Sequence, residues 1–263
     1  QKLVLASYDN AVAPTFVAIT AELSENQKSG PAAAVSAAAT PEATGDNNPP
    51  RAIRTLIVGG GSSHDFNRWF GQTDSATLRS GGNVVEYTEN VESILPALEK
   101  LDALYLSNNQ PLTNTALRQA IFDFAASGRG LLLVHPALWH NWKDWPEYNR
   151  TLVGGGARSH DRFGEFEVTV TNPDHPVMAH VPVKFKIFDE LYHFEPDRAG
   201  AAIEVLATAY EVKTEKTYPM IWTVRHPKAR IVCVTLGHDG LAHELPAFQT
   251  ILQNSLKWAA GKK

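Results

Sequence analysis

Six residues able to move a proton or ligate a metal follow apolar stretches of this chain: His64, His135, His160, Glu190, His193 and His238. His135 closes the run Gly130-Leu131-Leu132-Leu133-Val134, four large apolar residues after a glycine. That is the pattern of a strand buried on both faces of a parallel sheet, and open α/β sheets gather their ligands just beyond the carboxyl ends of such strands. The chemistry therefore centres on His135, with His160, Glu190 and His238 as its supporting catalytic residues. Two readings stay open. Imidazoles converging at one sheet edge, with His135, His160 and His238 as ligands, suit a divalent metal such as zinc. The same groups serve as general acid and base near neutral pH without one. Neither reading rests on a local motif, because no H-E-x-x-H occurs.

Polar and aromatic residues near these positions are the candidate substrate contacts. Trp139, Trp142 and Trp145 follow His135 at intervals of three. This spacing suggests one side of a helical turn, which would offer either a local core or a flat platform for the C–H face of a sugar ring. Tyr148 and Tyr192 would add hydroxyl contacts to a polyol. Arg158 would bind it or pair with Asp161. His64 and His193 complete the set, His193 being equally suited to facing outward from an alternating strand. His140, His175, His180, His226 and His243 read as turn or surface residues.

The elements that must position these groups alternate. Strands are expected at 53–58, 84–87, 104–106 and 130–134. The helical stretches between them are 65–70, 73–78 (capped by Thr73), 91–101 and one after Thr113 with Leu117, Ile121 and Phe124 on a single face. Gly128 would end that helix. The alternation argues for a parallel sheet covered on both faces. Further strands are expected at 166–170, 185–188, 203–207, 220–224 and 230–236, and a closing helix at 247–258. After the first strand, Gly59-Gly60-Gly61-Ser62-Ser63-His64 lets backbone approach a ligand. It is neither a phosphate loop nor a dinucleotide fingerprint, so no nucleotide cofactor is expected.

The 263 residues suit one large α/β domain plus an appendage. Residues 1–50 read as an N-terminal extension, with short strands at 3–5 and 12–19. From residue 21 to 50 it becomes an Ala/Pro-rich linker whose small side chains bury too little apolar area to offset ordering. The folded domain spans 51–263. A formal net charge of -4 without a basic stripe argues against a nucleic-acid partner. No apolar run is long enough to span a bilayer. A start at Gln1 rather than Met fits a processed secreted or periplasmic protein, with a cytoplasmic location as the alternative. Assembly into a homo-oligomer stays open. The single cysteine, Cys233, excludes an internal disulfide and sits inside Ile231-Val232-Cys233-Val234, where a thiol would be buried and inert.

Several stretches together resemble the ThuA-like, trehalose-utilisation family, of the class I glutamine amidotransferase-like superfamily. They are Gly-Leu-Leu-Leu-Val-His ending at His135, Trp145-Pro146-Glu147-Tyr148, the glycines at 154–156 followed by His160, Asp174-His175-Pro176, Asp189-Glu190-Leu191-Tyr192-His193-Phe194, and Leu236-Gly237-His238. They run in the family's order over about residues 53–260. The resemblance implies a flavodoxin-like three-layer αβα sandwich with a mostly parallel central sheet. It also implies a role in carbohydrate metabolism, on trehalose or a related 3-keto disaccharide, as a hydrolase or lyase. The alternative is a non-catalytic sugar-binding module of a secreted carbohydrate-processing system. Amidotransferase chemistry is disfavoured, because the strand that would carry its nucleophilic cysteine ends here in His135.

Overall fold

The computed structural model describes residues 51–262. The expected strands at 3–5 and 12–19 and the linker at 21–50 lie outside the described residues. The chain lays down β1 (Arg54–Val58), a π-helical stretch (Asn67–Asp74) running into α1 (Ser75–Ser80), β2 (Val84–Thr88), α2 (Ile94–Ala97) between two 3-10 turns, β3 (Ala103–Leu106), α3 (Thr115–Ala126) and β4 (Gly130–Val134). Next come α4 (Pro146–Tyr148), which continues into a second π-helical stretch (Asn149–Val153), and β5 (Gly155–His160), β6 (Gly164–Val170), β7 (Lys184–Asp189) and β8 (Tyr192–Pro196). The long strands β9 (Ile203–Glu211) and β10 (Lys216–Arg225), then β11 (Arg230–Val234), α5 (Gly240–His243) and α6 (Pro246–Ala259), complete the domain.

Nine strands form one mixed sheet in the order β2-β1-β3-β4-β11-β10-β9-β6-β7. The first five are parallel to their neighbours. The pairings from β11 onward through β10, β9, β6 and β7 are antiparallel. The expected parallel sheet thus holds for the half from β2 to β11. The other half is built from hairpins, which need no crossover helix. Two layers of helix cover the sheet. Leu78 of α1 and Phe248, Ile251 and Leu252 of α6 pack on one face, and Ile94 of α2 and Leu117, Ile121 and Phe124 of α3 on the other. The fold is a three-layer αβα sandwich. Leu131 to Val134 are wholly buried, because β4 has parallel neighbours on both sides and helices above and below.

Helix starts differ from the expected ones by a residue or more. Asn114, not Thr113, caps α3, its side-chain oxygen accepting the N–H groups of Ala116 and Leu117. Thr73 lies inside the π-helical stretch and caps nothing. The tryptophan segment is not one helical turn: Trp139 leaves a 3-10 turn in an extended conformation, and Trp145 stands non-helical before α4.

Strand order alone would keep β7 far from β11. Four strand spacings amount to ~19 Å in a flat sheet, and the three residues from Val234 to Gly237 reach at most ~10 Å. Yet the Asp189 carboxylate, at the end of β7, accepts the Gly237 N–H at 2.7 Å. The antiparallel half therefore curls over the carboxyl ends of β4 and β11. Register shifts around Ile221 in the β9–β10 pairing mark where it bends.

Gly130 shows how closely the layers fit. A Cβ there would strike the backbone carbonyl of Ala259 at the end of α6. Gly130→Ala is expected to cost about 1–3 kcal/mol of stability, read as a lower urea midpoint with unchanged m-value.

Candidate functional site

Four strand ends deliver the groups. β1 leads through the glycine loop to His64, β4 ends at His135, β11 leads to His238, and β7 ends at Asp189 with Glu190 next. The loop after β1 needs glycine at Gly60 (φ 99°) and Gly61 (φ 130°), where added side-chain atoms would strike Gln110 and Asn109. His135 itself takes a left-handed conformation, φ 44°. For a residue with a Cβ this costs on the order of 1–3 kcal/mol, and here it turns the imidazole back across the sheet end.

The rings of His64, His135 and His238 gather edge to face, with centroids 5.0 Å (His64–His135), 4.8 Å (His64–His238) and 5.5 Å (His135–His238) apart. One nitrogen from each lies within 4.8 Å of the others. Glu190 reaches into the same point, one oxygen 3.2 Å from His238 Nδ1 and 3.7 Å from His135 Nε2, the other 3.6 Å from His160 Nδ1. The Tyr192 hydroxyl stands 3.3 Å from His135 Nε2. Above them opens a cleft of about 350 Å³ walled by Ser62, Ser63, Asn109, Trp139, Asn141 and His160. His135 is wholly buried beneath it, with His64 and His238 lining the cleft beside it.

Tautomers follow from the partners. His135 Nδ1 lies 2.5 Å from the Thr235 carbonyl, which can only accept. The ring proton therefore sits on Nδ1, and Nε2 presents its lone pair to the cluster. Burial drives the His135 pKa well below its ordinary value, aided by the neighbouring His64. Burial and His238 likewise lower His64 to about 4. Both rings are neutral near pH 7 and able to donate electron pairs. His238 runs the other way, raised by its contact with Glu190 against the effect of burial. Burial pushes the Glu190 carboxyl up, but the contact with and charge of His238, then His160 and His64, bring it below the usual range overall, so it is ionised.

Beneath this cluster lies a support that the sequence reading passed over. Asp189 is buried and accepts three backbone N–H groups, from Gly237 (2.7 Å), His238 (3.1 Å) and Glu190 (2.8 Å). Burial raises its pKa to about 7 despite those bonds. His243, expected at the surface, is wholly buried. Its Nδ1 lies 2.7 Å from Asp74 and its Nε2 3.1 Å from the Gly237 carbonyl, while Tyr105 donates its hydroxyl to Asp74 at 2.7 Å. Its neighbours Ala242, buried, and Leu245, packed on the core, were the signal that His243 points inward, although Leu241 faces solvent.

The other expected site residues divide. Trp139 and Tyr192 line the cleft, their rings 5.2 Å apart. Trp142 and Tyr148 do not: both are buried in the core with Trp145, Trp142 donating its indole N–H to the Gln110 carbonyl at 3.0 Å. Tyr148 has no exposed surface, and Trp142 shows only an edge, to a separate cavity. Arg158 lines a separate cavity and does not pair with Asp161, which takes Lys213 at 2.6 Å instead. His193 points to the far side of the β5–β8 ladder, 3.0 Å from the Ser159 hydroxyl and stacked on Tyr218. As period-two alternation requires, the two neighbours Tyr192 and His193 face opposite ways. His160, expected with His135 and His238 as a ligand, approaches Glu190; His64 takes its place in the trio.

These residues fit a divalent metal. His238 Nδ1 is buried and, despite its 3.2 Å approach to Glu190, lacks the alignment of a hydrogen bond. That orphaned nitrogen and two neutral imidazoles make a three-nitrogen donor set of the kind a catalytic zinc takes, with the Glu190 carboxylate beside it. Cys233, by contrast, is buried in β11 with its thiol pushed up by burial, so it cannot act as a nucleophile at a strand end.

The family model described as ThuA, trehalose utilisation, matches residues 54–259. The chain belongs to the ThuA family. Among solved structures it is similar to a ThuA-like protein from Parabacteroides merdae, at 22% identity and TM-score 0.72, covering 81% of this chain and 91% of that one. A ThuA-like protein from Bacteroides uniformis matches at 20% identity and TM-score 0.67, over 81% of this chain and 94% of the other. A cytoplasmic protein of Salmonella typhimurium shares the fold at 13% identity and TM-score 0.55, covering 79% and 99% respectively. No curated protein matches. Among the described residues of this ThuA protein, no helix is long and apolar enough to cross a membrane.

A histidine with a depressed folded pKa contributes stability that is present above the unfolded value near 6.5 and lost as pH falls towards the folded value. For His64 that window runs from 6.5 to about 4. Asp189, raised to about 7, acts in the opposite direction over the range below 7, so the comparison must be with a variant. Between pH 7.5 and 5, wild-type protein in chelator should lose on the order of 2 kcal/mol more stability than His64→Gln, measured by urea unfolding at each pH.

Proposed function

We propose that this ThuA protein is an enzyme of carbohydrate breakdown, a hydrolase or lyase acting on trehalose or a related, oxidised (3-keto) disaccharide. One observation carries the reading: His64, His135, His238 and Glu190, from four separate strand ends, meet at one point beneath a polar cleft. A structural core would not hold an ionised carboxylate and three imidazoles together at that position, because desolvating them is costly unless they serve a ligand. His64, His135 and His238 would hold a divalent metal such as zinc. When bound, it supplies a Lewis acid to a substrate oxygen.

The chain's own groups do the rest. Glu190, ionised and half-buried, takes a proton from a substrate hydroxyl, a carbon acid or water at one carboxylate oxygen. His160, whose Nδ1–H is held by the Asp161 carbonyl at 2.6 Å, stands 3.6 Å from its other oxygen and helps to orient it, and the proton leaves to water in the cleft. Tyr192 offers a hydroxyl beside His135, and Trp139 offers an aromatic edge and face for the C–H side of a sugar ring. Ser62, Ser63, Asn109 and Asn141 give the cleft hydrogen-bonding groups for a polyol. Family membership supports the carbohydrate, and the side chains support proton transfer.

Elemental analysis of protein purified without a histidine tag is expected to find about one zinc-like ion per chain, removed by chelator. His135→Ala should lose the ion. Glu190→Gln should keep it while turnover of a 3-keto disaccharide falls about 100-fold or more, followed by chromatography of products. Full turnover in Glu190→Gln would sink the acid/base assignment, and a metal-free wild type the metal.

A further inference from the structure

Behind Trp139, on the other side of the strip of backbone that lines the cleft, lies a second cavity of about 340 Å³. Lys143, Arg150, Arg158 and His140 face into it, beside Asn149 and a single carboxylate, Asp197. Arg150 Nε meets Asp197 at 3.2 Å. Among the described residues, Lys143 and Arg158 form no ion pair. The cavity thus concentrates more positive charge than it neutralises. His140 feels this balance: burial and then Arg158 lower its pKa, against Asp197 and the nearby Glu195. Like charges held around one hollow repel, and a bound anion would relieve that repulsion.

The cations come from three segments: Lys143 from the turn after Trp142, Arg150 from the π-helical stretch, and Arg158 from β5. Donors converging from three directions suit an anion with several oxygens around one centre better than a flat carboxylate, which a single guanidinium grips from one side. Gly156 lets the His140 ring and Asn149 pack directly on the β5 backbone beside the cavity, where a Cβ would strike both. We propose that this cavity is a binding site for a tetrahedral oxyanion of the phosphate type, held by Lys143, Arg150 and Arg158.

The site sits back to back with the cleft. His140 donates its N–H to the Ala157 carbonyl at 3.1 Å, and Trp139 bridges to the same Ala157. An anion seated against His140 and Arg158 therefore presses on the short backbone ladder that carries Trp139. The oxyanion is either free phosphate or the phosphate ester of a sugar.

The test is isothermal titration of the full chain with inorganic phosphate in a low-salt, phosphate-free buffer, with sodium chloride at matched ionic strength as the control. Saturable binding that chloride does not reproduce, weakened at least tenfold in Lys143→Ala/Arg158→Ala, is the expected result. Arg158→Gln alone, with a smaller loss, serves if the double variant melts early. Tighter binding of a hexose phosphate than of phosphate assigns the anion to a substrate; equal binding assigns it to a free ion. No heat above the chloride control, or full binding in both variants, overturns the proposal and leaves the metal assignment untouched.

Discussion

The Asp189 carboxylate and the three N–H groups it accepts are the join on which the site depends. One oxygen takes the Gly237 N–H; the other is shared by His238 and Glu190. The antiparallel half of the sheet, which ends in β7, is thereby fastened to the loop after β11. Without that join, Glu190 and His238 would belong to separate parts of the sheet. With it, their side chains stand 3.2 Å apart. The cost is a buried acid whose charge is disfavoured by burial. The backbone dipoles offset that cost locally, without placing a cation that would compete for Glu190.

Electrostatics divides the histidines by task. Burial keeps His64 and His135 neutral, whereas the acid beside His238 raises its pKa, so a metal binding there would have to displace a proton. His243, in contact with Asp74 on the opposite side of Gly237, is raised by the same kind of pairing against its burial. One histidine from each side thus grips the loop at 237–238, one by a side-chain bond to its carbonyl and the other as part of it. The left-handed backbone at His135 adds strain where the strand gives way to Pro136, and the bond from Nδ1 to Thr235 holds the ring there.

The parallel core was readable because its strands are mostly apolar runs, 53–58, 104–106, 130–134 and 230–236, and all but 104–106 are closed by a glycine or a histidine. The curl of β6 and β7 was not, because alternating strands such as Phe166 to Val170 specify a half-exposed face but not which distant loop they will cover. Of the site, the strand-end residues His135, Glu190 and His238 were legible from position alone. The exchange of His160 for His64 in the trio was not, since it turns on the bulge between Ala157 and His160 in the β5–β8 pairing, a tertiary detail with no composition signature. Trp142 and Tyr148 misled because a large aromatic near a strand end serves a core and a binding wall equally well. Asp189 and Asp74 were missed because a buried acid looks like any surface acid until its backbone partners are known.

The bridge from Trp139 to Ala157 is a single ladder rung outside any regular strand. Such a rung can slip or break without unravelling a sheet, so the aromatic wall of the cleft is mechanically separable from the imidazoles on its floor. Changes in the 139–158 strip could therefore retune which sugars fit while the floor keeps its chemistry. Diversification of ligand range within this architecture should concentrate on that side of the pocket.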